Sequence, residues 1–160
     1  MTQLWVIRGN SASGKTTVAH ALRAALEPPA MVVEQDHLRR VVLQEKDRPE
    51  NTNAVELIRR VAEFGLERGY KVVLEGILTS EKYGPMIGGL IARADGARVF
   101  YLDVSFEETL RRHATKRTAD AYGEPELRSW WRERDLLGVA NETLVGEAST
   151  LEQTVALMLA

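Results

Sequence analysis

The sequence predicts an α/β protein built as a three-layer sandwich, a parallel sheet between helices, and three observations predict it. Short apolar runs recur along the chain without the polar alternation of a half-exposed strand, which suits strands buried on both faces of a parallel sheet. Helical patterns separate those runs, and alternating β and α elements build a parallel sheet through right-handed crossovers. The 160 residues are 44% apolar and 28% charged, close to globular averages. A chain of this length buries roughly 70% of its unfolded surface, so one domain is expected over 1–160.

In chain order, the strands are predicted at Leu4–Ile7, Met31–Val33, Lys71–Leu74 and Arg98–Leu102, with a weaker apolar run at Thr143–Val145. The first helix, Thr16–Leu26, stops before Pro28-Pro29, which cannot continue it. A second, Ala54–Arg68, places Val55, Ile58, Ala62 and Leu66 on one face and ends at Gly69, a C-cap glycine. Ser105–Glu108 has the Ser-x-x-Glu spacing of a capping box, and Thr150–Gln153 has its Thr-x-x-Gln form, so each opens a helix. Pro125 suits the first turn of a helix running toward Leu137, on which Trp130 and Trp131 read as core plus rim. Segments 45–53 and 118–124 are polar and read as loops, and Tyr83–Pro85 reads as a plain turn.

Composition closes several routes. With no cysteine, the chain has no disulfide, thiolate nucleophile or Cys-ligated zinc, and His20, His37 and His113 lack metal-ligand spacing. No apolar run approaches the ~20 residues of a membrane helix and no secretory leader is visible, so a cytoplasmic protein away from membranes is expected. The net charge of −2 argues against a nucleic-acid partner bound by phosphate neutralisation.

The most specific signal is Gly9-Asn10-Ser11-Ala12-Ser13-Gly14-Lys15-Thr16, which satisfies G-x-x-x-x-G-K-[ST], followed by Thr17. Glycines let consecutive N–H groups turn inward, and the following helix adds its positive end. Lys15 then reaches the β- and γ-phosphates, and the Thr16 hydroxyl suits Mg²⁺. The loop follows an apolar strand and opens a helix, the context this motif requires. A dinucleotide fingerprint would need glycine where Ser11 stands.

Ligands of open α/β sheets bind beyond the carboxyl ends of the strands. Each strong strand after the first closes with an acid: Asp36, Glu75 and Asp103. Asp36 suits either the N-cap of the helix that follows or the group that orients and deprotonates a hydroxyl attacking a γ-phosphate. Glu75, in "VVLEG", suits water-mediated Mg²⁺ binding, substrate binding or a strand-end pair with an arginine. Asp103 reads as structural, since Ser105 already supplies a cap. The basic run Arg111–Arg117 is either a solvated last turn or a lid, at about 111–124, whose arginines (Arg112 and Arg117 the candidates) neutralise transition-state charge. The i,i+4 pairs Arg112 with Lys116 and His113 with Arg117 form two adjacent basic stripes.

Taken together, "GNSASGKTT", "EQDHLRR", "VVLEG", "FYLDVSFEETLRRH" and "TLEQTVALML" resemble the small P-loop kinases related to zeta toxins and chloramphenicol phosphotransferase, and more distantly gluconate, shikimate and adenylate kinases. The resemblance runs from near the first residue to near the last. It implies a P-loop NTPase fold with a five-stranded parallel sheet ordered 2-3-1-4-5. It also implies ATP and Mg²⁺, a general base at Asp36, lid arginines within Arg111–Arg117, and an acceptor site bounded by the helices after strands two and three. The function expected is ATP-dependent phosphorylation of a hydroxyl on a small-molecule acceptor: a metabolite, an antibiotic or a nucleotide-sugar. The alternatives are a nucleoside or nucleotide kinase, for which Arg39 and Arg40 suit either an acceptor phosphate or, more simply, an outward helix face, and a non-kinase ATP-binding switch.

Overall fold

Strand pairing alone fixes where this molecule presents its functional edge. In the computed structural model, which describes residues 1–115 and 121–160, the strands are β1 (Gln3–Gly9), β2 (Ala30–Glu34), β3 (Lys71–Gly76), β4 (Gly96–Asp103) and β5 (Glu142–Gly146). They form a five-stranded parallel sheet in the order β2-β3-β1-β4-β5. The register aligns Ile7 with Glu75 and Phe100, Glu34 with Glu75, and Asp103 with Gly146, so the carboxyl ends share one edge.

The helices are α1 (Lys15–Ala25), α2 (Gln35–His37, continued by a π-helical turn over Leu38–Val42), α3 (Asn53–Glu67), α4 (Ser80–Arg93), α5 (Phe106–Ala114), α6 (Glu124–Trp130) and α7 (Leu151–Leu159). The central strand explains why the apolar runs lack alternation. Leu4 and Val6 on β1 pack with Ile58 on α3 and Ile87 and Leu90 on α4. Their neighbours Trp5 and Ile7 pack on the other face with Leu22 on α1 and Met158 on α7. The Trp5 indole N–H donates to the Met158 carbonyl at 2.8 Å, which fastens the last helix to the central strand.

Local signals explain most boundaries. At the end of α3, Gly69 takes φ +78°; its N–H donates to Leu66 and that of Tyr70 to Gly65, a Schellman motif. The Thr150–Gln153 capping box forms in both directions, with bonds of 3.2 and 3.0 Å. At Ser105 only half of the box forms: the hydroxyl accepts from the Glu108 N–H, but the Ser105 N–H donates to Glu147, because Glu108 is engaged by arginines.

Three expectations are corrected. Tyr83–Pro85 is no turn but part of α4, whose Tyr83, Met86, Ile87 and Leu90 recur at helical spacing and are buried. Pro85 is exposed and lacks only the donor to the exposed Glu81, so the helix tolerates it. The Pro125 helix ends at Trp130 rather than near Leu137, because polar contacts draw the following segment onto the sheet edge. Leu127 is the buried residue of that helix; Trp130 is exposed and lies against Tyr122, so the tryptophans are rim and not core.

Candidate active site

The glycine loop emerges from β1 in a backbone that few residues can follow. Gly9 has φ +149°, and a Cβ there would lie 2.8 Å from Ser13 Oγ and 3.0 Å from the Leu102 carbonyl. Gly14 has φ +98° and Ala12 φ +61°, so the loop turns through the left-handed region twice before α1 begins. Gly14 is the N-cap of α1 and gives no side-chain cap, and the first turn carries no acid. The start of α1 thus carries no cap side chain or acid of its own that would oppose an anion.

Lys15 is 8% exposed, and its amine lies across the loop, 2.6 Å from the Asn10 carbonyl and 3.3 Å from Ser13 Oγ. Its neighbour Thr16 donates its hydroxyl to Glu75 at 3.0 Å. Glu75 closes β3 beside the loop and is 3% exposed. Burial pushes its carboxyl above the usual range, while the Lys15 charge and the Thr16 bond pull the other way. Of the alternatives for this residue, the arginine pair does not form among the described residues. Thr16 and Glu75 instead provide an all-oxygen donor pair beside a cation, the chemistry Mg²⁺ takes. Among the described residues no group of three or more His, Asp or Glu is arranged to hold a metal by itself.

One strand further out, the cap reading of Asp36 is corrected. β2 ends at Glu34, which stands at the cap position, and Asp36 lies inside the first turn of α2. Its carboxylate is 58% exposed and accepts from Arg39 Nη2 at 3.0 Å and Arg40 Nη1 at 3.3 Å. Arg39 is not on an outward face: it is 15% exposed and also donates to the Glu45 carbonyl. Beneath it Gln35 donates to the Tyr83 hydroxyl, and Gly76 passes so close to Gln35 that a Cβ would stand 2.6 Å away.

On the opposite side of the loop, Arg112 spans three elements. It donates to Glu108 at 2.7 Å, to the Ser13 carbonyl at 3.0 Å and to the Glu147 carbonyl at 3.4 Å. Arg111 is exposed and binds Glu108 as well; together Arg111 and Arg112 hold the Glu108 carboxyl down to about 2. Of the two expected basic stripes, Arg112 and His113 lie among the described residues. His113 is buried, its Nε2 donates to the Tyr122 carbonyl at 2.8 Å, and its ring stacks on Tyr122. Lys116 and Arg117, with residues 118–120 of the expected lid, lie outside the described residues.

Between Arg112 and the β5–α7 connection lies a cavity of about 230 Å³, lined by Gly14, Thr17, Val18, Arg112, Glu147 and Thr154. Glu147 accepts from both the N–H and the hydroxyl of Ser105, at 2.8 and 2.7 Å, so the connection is clamped to the start of α5. Asp103, at the end of β4, pairs with Arg134 at 2.9 Å, the structural role expected of it.

Sequence reasoning missed the polar framework under the loop. Arg8 is fully buried one residue before Gly9, bonding Leu78, Glu142 and Asp135. The Asn10 side chain does not face the loop interior: its amide bonds both the carbonyl and the N–H of Arg132, at 2.7 and 3.0 Å. An arginine inside an otherwise apolar strand was the one available signal; nothing near Asn10 announces its partner.

The loop, the order of the sheet and the acid at the end of β3 are those of a P-loop fold, and the AAA domain family AAA_33 matches residues 4–135. The chain belongs to that family. Solved structures extend the likeness in fold over nearly the whole AAA_33 chain. The APS kinase of Mycobacterium tuberculosis, in complex with AMPPNP and APS, superposes with a TM-score of 0.76 at 16% identity, covering 99% of this chain and 95% of that one. A gluconokinase from Sinorhizobium meliloti 1021 gives 0.70 at 18% identity, covering 97% and 88%. The tunicamycin resistance protein of Deinococcus radiodurans gives 0.65 at 18% identity, covering 99% and 96%. No curated protein matches the sequence. The architecture is thus a kinase-like P-loop fold. Among the described residues no helix is long and apolar enough to cross a membrane.

Proposed function

We propose that this protein is an ATP-dependent kinase that moves the γ-phosphoryl group of ATP to a hydroxyl of a small molecule. The observation that carries the reading is the position of Asp36: an exposed carboxylate outside the glycine loop, on the same sheet edge, that caps nothing. A protein that only binds ATP needs no group there to receive a proton. In the proposed reaction, the loop N–H groups and Lys15 hold the phosphates, the amine leaving the Asn10 carbonyl to do so. Thr16 and Glu75 would hold Mg²⁺, which supplies charge neutralisation at the phosphate oxygens when bound. Asp36 accepts the proton of the acceptor hydroxyl as its oxygen bonds to phosphorus and the bond to the departing ADP oxygen breaks. The cavity beside Arg112 suits the nucleoside, with the guanidinium across one wall.

The test is Asp36→Asn. Mg²⁺·AMPPNP affinity by calorimetry is expected to stay within about twofold of the parent, while turnover falls by about 10²–10⁴, the usual contribution of general-base catalysis. The acceptor for that assay comes from a thermal-shift screen of metabolites and antibiotics with AMPPNP present; a ligand at a hundred times its dissociation constant adds ~2.7 kcal/mol. A variant that turns over at the parent rate removes Asp36 from the mechanism.

A nucleotide acceptor is the second reading, and Arg39 favours it. This arginine is turned inward beside Asp36, where an acceptor phosphate would meet its guanidinium. Nucleoside monophosphates that compete with the acceptor, and lose that ability in Arg39→Ala, would support it.

A further inference from the structure

We propose that Arg132, on the segment after α6, is an arginine that reaches the transferred γ-phosphoryl group, and that Asn10 is the residue that positions it. The assignment rests on the kinase reading and deepens it. Its first ground is shared anchorage. The Lys15 amine lies on the Asn10 carbonyl, and the Asn10 side chain holds both the N–H and the carbonyl of Arg132. One loop residue therefore sets the height of two cations over the phosphate cradle.

A second anchor lies three residues on. Asp135 accepts from the buried Arg8 and from the N–H and hydroxyl of Ser80 at the start of α4, so the segment is pinned at both ends. Between the pins, two arginines splay to opposite sides of the loop. Arg134 goes to Asp103 at the end of β4. Arg132 goes toward Glu81 on α4, the helix that follows β3. Because β3 and β2 lie together on one side of β1, Arg132 is on the side of Glu75 and Asp36, where the phosphoryl group is handed over.

The third ground is availability. Arg111 and Arg112 are each bound to Glu108 at 2.7 Å, and Arg112 also spans the loop and the nucleoside cavity. Arg132 is half exposed and meets Glu81 at 3.9 Å, an exposed pair worth little. Its guanidinium can leave that pair for a phosphate, to which an arginine fork bonds bidentately. Arg112 on α5 shapes the nucleoside end of the site; Arg132 serves the reacting end.

Calorimetry with Mg²⁺·AMPPNP and Mg²⁺·ADP tests this without the acceptor. Arg132→Ala should weaken AMPPNP by about tenfold, the loss of one charge-assisted bond, and leave ADP within about twofold. Asn10→Ala should move the same ratio in the same direction, and Arg132→Lys should recover part of it. Arg134→Ala should leave it unchanged. An Arg132→Ala protein with the wild-type AMPPNP-to-ADP ratio overturns the assignment while the kinase reading stands. Asn10→Ala with the wild-type ratio overturns the positioning role. Wild-type protein that binds neither nucleotide overturns the kinase reading, and this assignment with it.

Discussion

Replacing Arg8 with methionine should destabilise the protein more than a change outside the loop would suggest. The side chain is fully buried, and its three nitrogens donate to the Leu78 carbonyl at 3.0 Å, Glu142 at 2.9 Å and Asp135 at 3.0 Å. Methionine fills much of the same space but leaves two carboxylates, 4% and 15% exposed, facing one another's charge without a cation. Breaking a buried ion pair from one side costs roughly 3–5 kcal/mol, because the abandoned charge stays buried. Two features favour the lower end here. Glu142 keeps the N–H groups of Leu137 and Gly138, Asp135 keeps Ser80, and Asp135 reaches solvent. At about 3 kcal/mol, and about 2–4 °C per kcal/mol at this size, the melting midpoint should fall by about 6–12 °C. Melts followed by circular dichroism measure the shift. Adding Glu142→Gln should return part of the loss, and a coupling above about 0.5 kcal/mol would show that the residues act together. A midpoint for Arg8→Met within about 2 °C of the parent refutes the reasoning. The network would then be a geometric coincidence rather than the anchor of the loop and of the segment after α6.

Gly9→Ala should abolish measurable AMPPNP binding and cost about 1–3 kcal/mol in thermal stability, since the added Cβ meets Ser13 and the Leu102 backbone at a φ that alanine avoids. Both are read from one set of melts with and without nucleotide. Glu75 makes a pH prediction. Burial raises its folded-state carboxyl above the ordinary 4.5, so the folded protein holds that proton more readily than the unfolded chain. Its contribution to stability is therefore best below about 4.5 and declines as pH rises through the raised value. Glu75→Gln should flatten that slope, melt no lower than the parent at neutral pH, and remove the Mg²⁺ dependence of AMPPNP affinity. In the parent, that dependence should fade on acidification at a pH above the ordinary carboxylate range; a midpoint at or below 4.5 would contradict the buried environment.

Much of the fold was legible because its signals are local. All five strands stand where the apolar runs do, with edges moved by a residue or two, since burial on both faces leaves a mark within the central runs; β5, with Thr143 and Leu144 exposed, gave the weaker signal. The glycine loop and the Thr150 capping box are likewise written in residues a few places apart. The helix over Ser80–Arg93 escaped notice because Tyr83, Gly84 and Pro85 imitate a turn, and only packing shows Tyr83, Met86, Ile87 and Leu90 on one buried face. At the site, Thr16 bonds Glu75 beside Lys15, whereas the cap reading of Asp36 fails because the helix begins two residues earlier, with Glu34 at the cap position.

By itself the sequence determined that a parallel sheet would form and that a phosphate cradle would open at the end of its first strand, because strand period and loop conformation depend on neighbours in the chain. Tertiary structure alone decided what the polar groups around that cradle do. Arg8 finds Glu142 and Asp135 across 134 and 127 residues, and Asn10 finds Arg132 across 122. These partners are selected by desolvation: once the sheet buries a donor or charge, it must be answered by whichever group the topology brings within bonding distance. No periodicity or spacing in the chain records that choice.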